Sequence, residues 1–112
     1  MQTLMAQPIN LKLSVLLLRE ADMWVAQCLE YDIAAQGMSI PEVKEAFART
    51  LCGQIMIDLH HNVEPLAAFH EAPAEYWQKF KSAERLADRQ PLPMPTTGRA
   101  IHAVADDLRI AA

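Results

Sequence analysis

Four histidines and two cysteines are the side chains of this sequence that could bind a metal. They are His60, His61, His70, His102, Cys28 and Cys52. Zinc sites use such ligands at short, regular spacings, and these six residues follow no such pattern. We therefore predict neither a metal site nor a cofactor. His60 and His61 are interpreted as the end of a helix, where a cationic side chain favours the helix dipole.

Cys28 is also a potential nucleophile, but no neighbour in the sequence would lower the pKa of its thiol. The favoured interpretation is that both cysteines are reduced, buried residues, as is typical of cytoplasmic proteins. Residues 1–10 lack the basic start and apolar run of a signal peptide. The apolar stretch that ends at Leu18 is too short to span a bilayer. We expect a cytoplasmic protein without a membrane segment.

Glu30 and Asp32 flank Tyr31 in a short polar segment between two predicted strands. Paired carboxylates can serve acid–base catalysis or bind magnesium, but no other acidic residue nearby in the sequence completes such a site. The alternatives are a solvated turn and a contact for another protein, because tyrosine is enriched at interface hot spots. Glu30, Tyr31 and Asp32 are the candidate partner-binding residues, and we assign no catalytic residue.

Tyr76 and Trp77 lie beside Lys79 and Lys81 in a predicted helix. Aromatic rings next to basic side chains could stack on nucleic-acid bases over a phosphate-binding patch. Their helical spacing instead favours residues of the core or anchors of a protein interface.

Length, composition and charge limit the classes of function. The chain has 112 residues, of which 52% are hydrophobic, and its net charge is −4. This is enough for one domain with a real core. Residues 1–60 carry 4 basic and 7 acidic residues, and residues 61–112 carry 6 and 7. No basic face stands out, which disfavours an autonomous nucleic-acid binder.

Three short strands are predicted first. Alternating apolar residues indicate a strand over residues 10–18, in which Leu16 and Leu18 add a second apolar face. A hairpin connection at residues 19–22 leads to a strand over residues 23–29, and a third strand covers residues 32–36. This pattern predicts an antiparallel meander whose first strand is covered on both sides near its end.

A helix is predicted to begin abruptly after Gly37. Glycine is typical of positions with a positive φ or a sharp turn. Ser39 can cap the helix, Glu42 has the spacing of a capping box, and Pro41 suits the first turn. Apolar residues at spacings of three and four continue to about His60, which places one face of the helix on the sheet.

The second half of the chain is less regular. We predict a connection over residues 62–71, a second helix over residues 73–86 and irregular structure over residues 90–98, which contain three prolines. Asp106–Asp107 is interpreted as a turn, after which residues 108–111 return to the sheet. The expected fold class is α+β: an antiparallel three- to four-stranded sheet packed on one long helix, with a second helix and a C-terminal strand. Residues 1–112 form one domain, with a core over 10–61 and an extension over 62–112.

Residues 11–60 resemble the HicB-like antitoxin family. The residues that carry the resemblance are Trp24, Val25, Ala26, Cys28, Glu30, Asp32, Gly37, Ser39 and Glu42. The resemblance implies a partial ribonuclease H-like fold without catalytic function. It also implies binding to a small, basic, HicA-like toxin that cleaves RNA and is related to double-stranded-RNA-binding domains.

The sequence departs from the family at Asp22–Met23, where members often have Asp-Gly, and at Met38, where they often have Asp. Residues 62–112 lack the pattern of a helix-turn-helix or ribbon-helix-helix, so DNA binding is not expected. The expected function is that of a stand-alone, non-catalytic antitoxin of a type II toxin–antitoxin system. The alternative is a homo-oligomeric structural or regulatory domain without a toxin, which apolar strand edges and the helix around Trp77 favour.

Overall fold

A computed structural model describes residues 7–87, 89–95 and 99–111 of the chain. Its elements in chain order are β1 (Ile9–Glu20), β2 (Met23–Cys28), β3 (Ala34–Gly37), α1 (Ile40–His60), α2 (Ala74–Ser82), β4 (Glu84–Ala87), β5 (Gln90–Leu92) and β6 (Ile101–Ile110). Strands and helices thus form an α+β fold, which confirms the predicted class. No helix in the described ranges is long and apolar enough to cross a membrane.

The sheet is mixed, which corrects the prediction of an antiparallel sheet of three to four strands. Among the described residues it has six strands in the order β3-β2-β1-β6-β4, with β5 also paired to β6. β1 pairs antiparallel with β2 and parallel with β6, from Ile9 opposite Ile101 to Leu17 opposite Ile110. β1 is apolar on both faces near its end, so a central position buries it on both sides.

β6 is one continuous strand, so the predicted turn at Asp106–Asp107 is wrong. Leu13 pairs with Ala105 and Ser14 pairs with Asp107, which makes Asp106 the extra residue of a β-bulge. A bulge accommodates two adjacent polar residues without ending the strand. The predicted return of residues 108–111 to the sheet is confirmed as far as Ile110.

Two other boundaries in the second half differ from the prediction. The second helix ends at Ser82 rather than at residue 86, because residues 84–87 pair with β6 as β4. Residues 90–92, expected to be irregular, form the short edge strand β5, in which Pro91 is tolerated because an edge strand leaves one side unpaired. Residues 96–98 of the predicted proline-rich segment lie outside the described residues.

The start of α1 follows the sequence signals closely. Ser39 adopts an extended conformation, and its hydroxyl accepts a hydrogen bond from the Glu42 N–H at 3.2 Å. The Glu42 carboxylate in turn accepts the N–H of Met38 at 3.0 Å, one residue before the cap. The bond to Ser39 satisfies a main-chain donor that the helix cannot pair itself, and the helix ends at His60 as predicted.

Two hydrophobic cores lie on the two faces of the sheet. The first lies under α1, where β1, β2 and β6 meet Val43, Phe47, Leu51 and Ile55 of the helix. The second lies under α2; its buried members are Leu16, Leu18, Leu29, Ala72 and Phe80. The side chains of β1 alternate between these cores, so this strand joins both layers of the fold.

Described residues of the C-terminal half contribute to the first core. Ile101, Ala103 and Leu108 of β6 are buried in the first core together with Leu66. Leu66 has a φ of 65° although it is fully buried. Its N–H donates to Asp58 Oδ2 at 2.7 Å, and this bond together with burial holds a conformation that is strained for leucine.

Candidate functional site

Glu30, the first of the candidate partner-binding residues, stabilises the sheet. Its half-buried carboxylate accepts a hydrogen bond from the Ser14 N–H at 2.7 Å. Ser14 lies at the register shift between β1 and β6, and its carbonyl accepts the Leu29 N–H at 3.0 Å. Glu30 therefore supplies an acceptor where the bulge disturbs the ladder of the sheet.

Asp32 and Tyr31 also contribute to the fold. Gln27 is a buried polar side chain, and its Nε2 donates to Asp32 Oδ1 at 2.8 Å and to the Cys28 carbonyl at 3.0 Å. The ring of Tyr31 is half buried against the first core. Asp32 nevertheless remains exposed, so it satisfies Gln27 and still faces solvent.

The turn lies beside the start of α2. Main-chain hydrogen bonds from Asp32 N to His70 O at 2.6 Å and from Ala72 N to Leu29 O at 2.9 Å hold the preceding connection against it. Sequence separation hides this proximity, because about forty residues separate the turn from the helix. It brings an acidic turn next to an aromatic helix.

The charges of three carboxylates act on Tyr76 of α2. These carboxylates belong to Glu20 at the end of β1, Asp32 of the turn and Glu75 of α2, all of them exposed. Burial raises the pKa of the Tyr76 hydroxyl, and the negative charges of these three carboxylates raise it further. We refer to Glu20, Asp32, Glu75 and Tyr76 as the acidic surface; three of its members were not expected from the sequence to join Asp32.

The aromatic side chains of α2 pack against the second core. Trp77 and Phe80 meet edge to face, with ring centroids 6.5 Å apart. The Lys79 ammonium lies 5.8 Å from the centroid of the Tyr76 ring. This packing agrees with the interpretation of Tyr76 and Trp77 as core or interface residues and leaves Tyr76 at the boundary with solvent.

Arg109 of β6 forms hydrogen bonds with the end of α2. Its guanidinium donates from Nη1 to the Phe80 carbonyl at 3.0 Å and from Nε and Nη2 to the two carboxylate oxygens of Asp107, each at 3.1 Å. It also lies 4.5 Å from the centroid of the Phe80 ring. A cation at the C-terminal carbonyls of a helix is favourable, so this contact stabilises the C-terminal end of α2 against β6.

Both cysteines of the described residues are free thiols. Burial raises the pKa of the Cys28 thiol to about 12, so it is protonated at neutral pH and is a poor nucleophile. Cys52 is half buried in α1. His60 and His61 are exposed at the end of α1, with ring centroids 5.5 Å apart. In the described part of the chain, no three His, Cys, Asp or Glu side chains are grouped closely enough to hold a metal ion.

An open cleft of about 820 Å³ lies beside the acidic surface, where β1, α2 and β6 end. Its lining combines apolar Leu18 and Ile110 with the charged side chains of Arg19, Lys79 and Glu84. The Arg19 guanidinium lies 5.3 Å from the centroid of the Trp24 ring. The charges are of both signs, so the cleft favours no particular ionic ligand.

The sequence indicated the polar turn but not its surroundings. One signal for these surroundings was present in the sequence. Glu20 and Glu75 are acidic residues near the ends of predicted elements, where exposure to solvent is expected. Comparisons with protein-family models, with curated proteins and with solved structures found no match.

Proposed function

We propose that this chain is a non-catalytic protein-binding domain that acts as an antitoxin and neutralises a small, basic, HicA-like toxin that cleaves RNA. The proposal depends on the resemblance of residues 11–60 to the HicB-like family. The observation that supports it best is the acidic surface: three exposed carboxylates whose charges act on a tyrosine at the edge of the second core.

The chemistry of the acidic surface suits a basic protein partner. Carboxylates speed the encounter with a positively charged protein and disfavour partners of the same charge. Tyr76 offers an aromatic ring for the centre of such a contact, where tyrosines contribute strongly to binding. The chain's net charge of −4 acts in the same direction.

Co-expression with the product of the neighbouring reading frame tests the proposal. We expect a small basic protein that co-purifies with this chain and loses its ribonuclease activity in the complex. Absence of any such protein, both from the neighbouring frame and from pull-downs in the native host, would contradict the antitoxin function.

Charge removal tests the acidic surface itself. The double variant E20Q/E75Q should weaken the complex about tenfold and reduce its salt dependence, because two steering charges are lost. The matched control E45Q/E84Q also removes two exposed carboxylates, but from outside the acidic surface. Equal loss of affinity in both variants would show that only net charge matters.

The proposal places the protein in the cytoplasm, where its two free thiols, Cys28 and Cys52, stay reduced. DNA binding is not part of it. A second candidate is a homo-oligomeric structural or regulatory domain without a toxin, and the edge strand β3, which among the described strands pairs only with β2, favours it. Light scattering that finds only monomer would contradict this second candidate.

A further inference from the structure

The two edges of the described sheet differ in how they could accept another strand. At one edge, β4 has a register shift between Arg85 and Ala87, so Leu86 is an extra, bulged residue. β5 on the same side contains Pro91, which has no N–H. Bulges and prolines are features that prevent the addition of a strand.

The opposite edge, β3, has none of these features. It pairs with β2 in regular register from Trp24 opposite Gly37 to Gln27 opposite Ala34. Its residues, AAQG, are uncharged and include no proline. Ala34 and Gln36 are exposed, and Ala35 is buried toward α1.

The hydrogen-bond pattern shows which groups of β3 face outward. Cys28 N–H donates to Ile33 O at 2.9 Å, so Ile33 directs its main-chain groups toward β2. Because these directions alternate along an antiparallel strand, Ala35 and Gly37 also point to β2, and Ala34 and Gln36 point away. Within the described ranges, no hydrogen bond from another residue reaches these outward groups.

The set of free groups ends with Gln36. The next outward N–H, that of Met38, donates to the Glu42 carboxylate at 3.0 Å. The edge thus offers two N–H and two C=O groups, from Ala34 and Gln36. Each of these two residues offers one donor and one acceptor. After a two-fold rotation, the same edge of a second copy presents an acceptor opposite every donor and a donor opposite every acceptor.

We propose that a second copy of this chain pairs antiparallel with β3 about a two-fold axis at Ala35. Ala34 then lies opposite Gln36 of the partner subunit, and the two symmetry-related pairs form four main-chain hydrogen bonds. The register places no like charges opposite each other, and the small side chains of Ala34 and Ala35 allow the close approach of the strands. The dimer has one sheet that continues through both subunits.

The dimer is weak because the paired strand is only four residues long. The pairing does not extend beyond Ala34, because the next outward N–H on that side, that of Asp32, already donates to His70 O at 2.6 Å. Small interfaces of this kind belong to transient complexes. The full chain therefore dimerises at micromolar or higher concentrations and not at nanomolar ones.

Sedimentation velocity of the full chain over a concentration series tests the proposal. It is repeated with variants that place charged side chains at the same two positions of β3. In A34K/Q36K, lysines oppose lysines of the partner at both pairs, and in A34E/Q36E glutamates oppose glutamates. In A34E/Q36K, each pair combines opposite charges at the same two positions. We expect the dissociation constant of the like-charged variants to exceed that of A34E/Q36K about tenfold.

Two results would overturn the proposal. The first is a wild-type chain that remains monomeric up to about 1 mM, the range of the weakest specific complexes. The second is equal association of like-charged and oppositely charged variants that retain the wild-type circular dichroism. The test needs no toxin, so its failure and the failure of the proposed antitoxin function are distinguishable.

Discussion

At the scale of single residues, Gly37 determines how closely the sheet and α1 can meet. A Cβ at this position would lie 2.6 Å from Val43 N and 2.8 Å from Val43 Cα. Gly37 has no positive φ. The glycine predicted for conformational freedom is therefore required for close approach to the helix.

Replacement of Gly37 by alanine should destabilise the protein by about 1–3 kcal/mol, because rigid main-chain atoms must move apart. Gly53→Ala is the matched control, since a Cβ at Gly53 meets no atom within 4 Å. It should stabilise α1 by about 1 kcal/mol. Urea unfolding of both variants measures the difference, and two changes of the same sign would contradict this account.

Cys28 makes stability depend on pH in the alkaline range. Burial raises the pKa of its thiol from 9.0 to about 12. Above pH 9 the unfolded chain releases the thiol proton while the folded chain retains it until about pH 12. The free energy of unfolding should therefore fall between these two pH values, with a maximal contribution of about 1.4 kcal/mol per pH unit.

Cys28→Ala should remove this contribution, so that its stability falls less steeply with rising pH than that of the wild type. Cys52→Ala serves as the control and should keep the wild-type slope. Denaturant unfolding at several pH values from 8 to about 11 gives the slopes. Parallel curves for wild type and Cys28→Ala would show that the thiol does not cause the effect.

At the scale of elements, Arg109 contributes to the attachment of α2 to the sheet. The helix has nine residues and no side-chain cap at its N-terminus, so it is too short to be stable alone. The guanidinium of Arg109 links the Phe80 carbonyl to Asp107 of β6. This contact adds to the burial of Phe80 in the second core, which also holds the helix on the sheet.

Arg109→Lys keeps the positive charge. It loses the planar guanidinium group, which donates hydrogen bonds to Asp107 and to the helix at the same time. We expect a loss of about 1–3 kcal/mol and faster amide hydrogen exchange in α2, with α1 unchanged. Arg49→Gln is the control, because the ion pair of Arg49 with Glu45 is exposed and contributes little. Equal exchange rates in α2 of wild type and Arg109→Lys would contradict the role.

At the scale of the whole molecule, β1 and β6 unite the two halves of the chain. Leu13, Val15 and Leu17 of β1 are almost completely buried, and each has a parallel neighbour on β6. Without the C-terminal half, the core predicted over residues 10–61 therefore loses the strand that covers one edge of β1.

A fragment of residues 7–61 should fail to unfold cooperatively in urea. Removal of β6 exposes the apolar side of β1 and leaves a three-stranded sheet with an open central edge. Circular dichroism monitors the unfolding of the fragment and of the full chain, which is the reference. A sharp unfolding transition of the fragment would show that the N-terminal half is an independent domain.

Signals carried by neighbouring residues predicted much of the local structure. The alternation in β1, the cap at Ser39 and the end of α1 at His60 all agree with the structure. Each depends on residues within a few positions of one another, where main-chain geometry and hydrogen bonding act directly. The turn at Asp106–Asp107 was wrong because a bulge and a turn share the same polar residues.

The sequence alone determined the α+β class, the capped helix and the polar turn that contains Glu30, Tyr31 and Asp32. Only the tertiary structure decided that β6 runs parallel to β1 and that Glu30 and Asp32 satisfy Ser14 and Gln27. It also decided that the charge of Asp32 raises the pKa of Tyr76, which is about forty residues away in the sequence. The physical reason is that these contacts join distant segments. Their partners are chosen by the burial of both faces of β1, which no local pattern records.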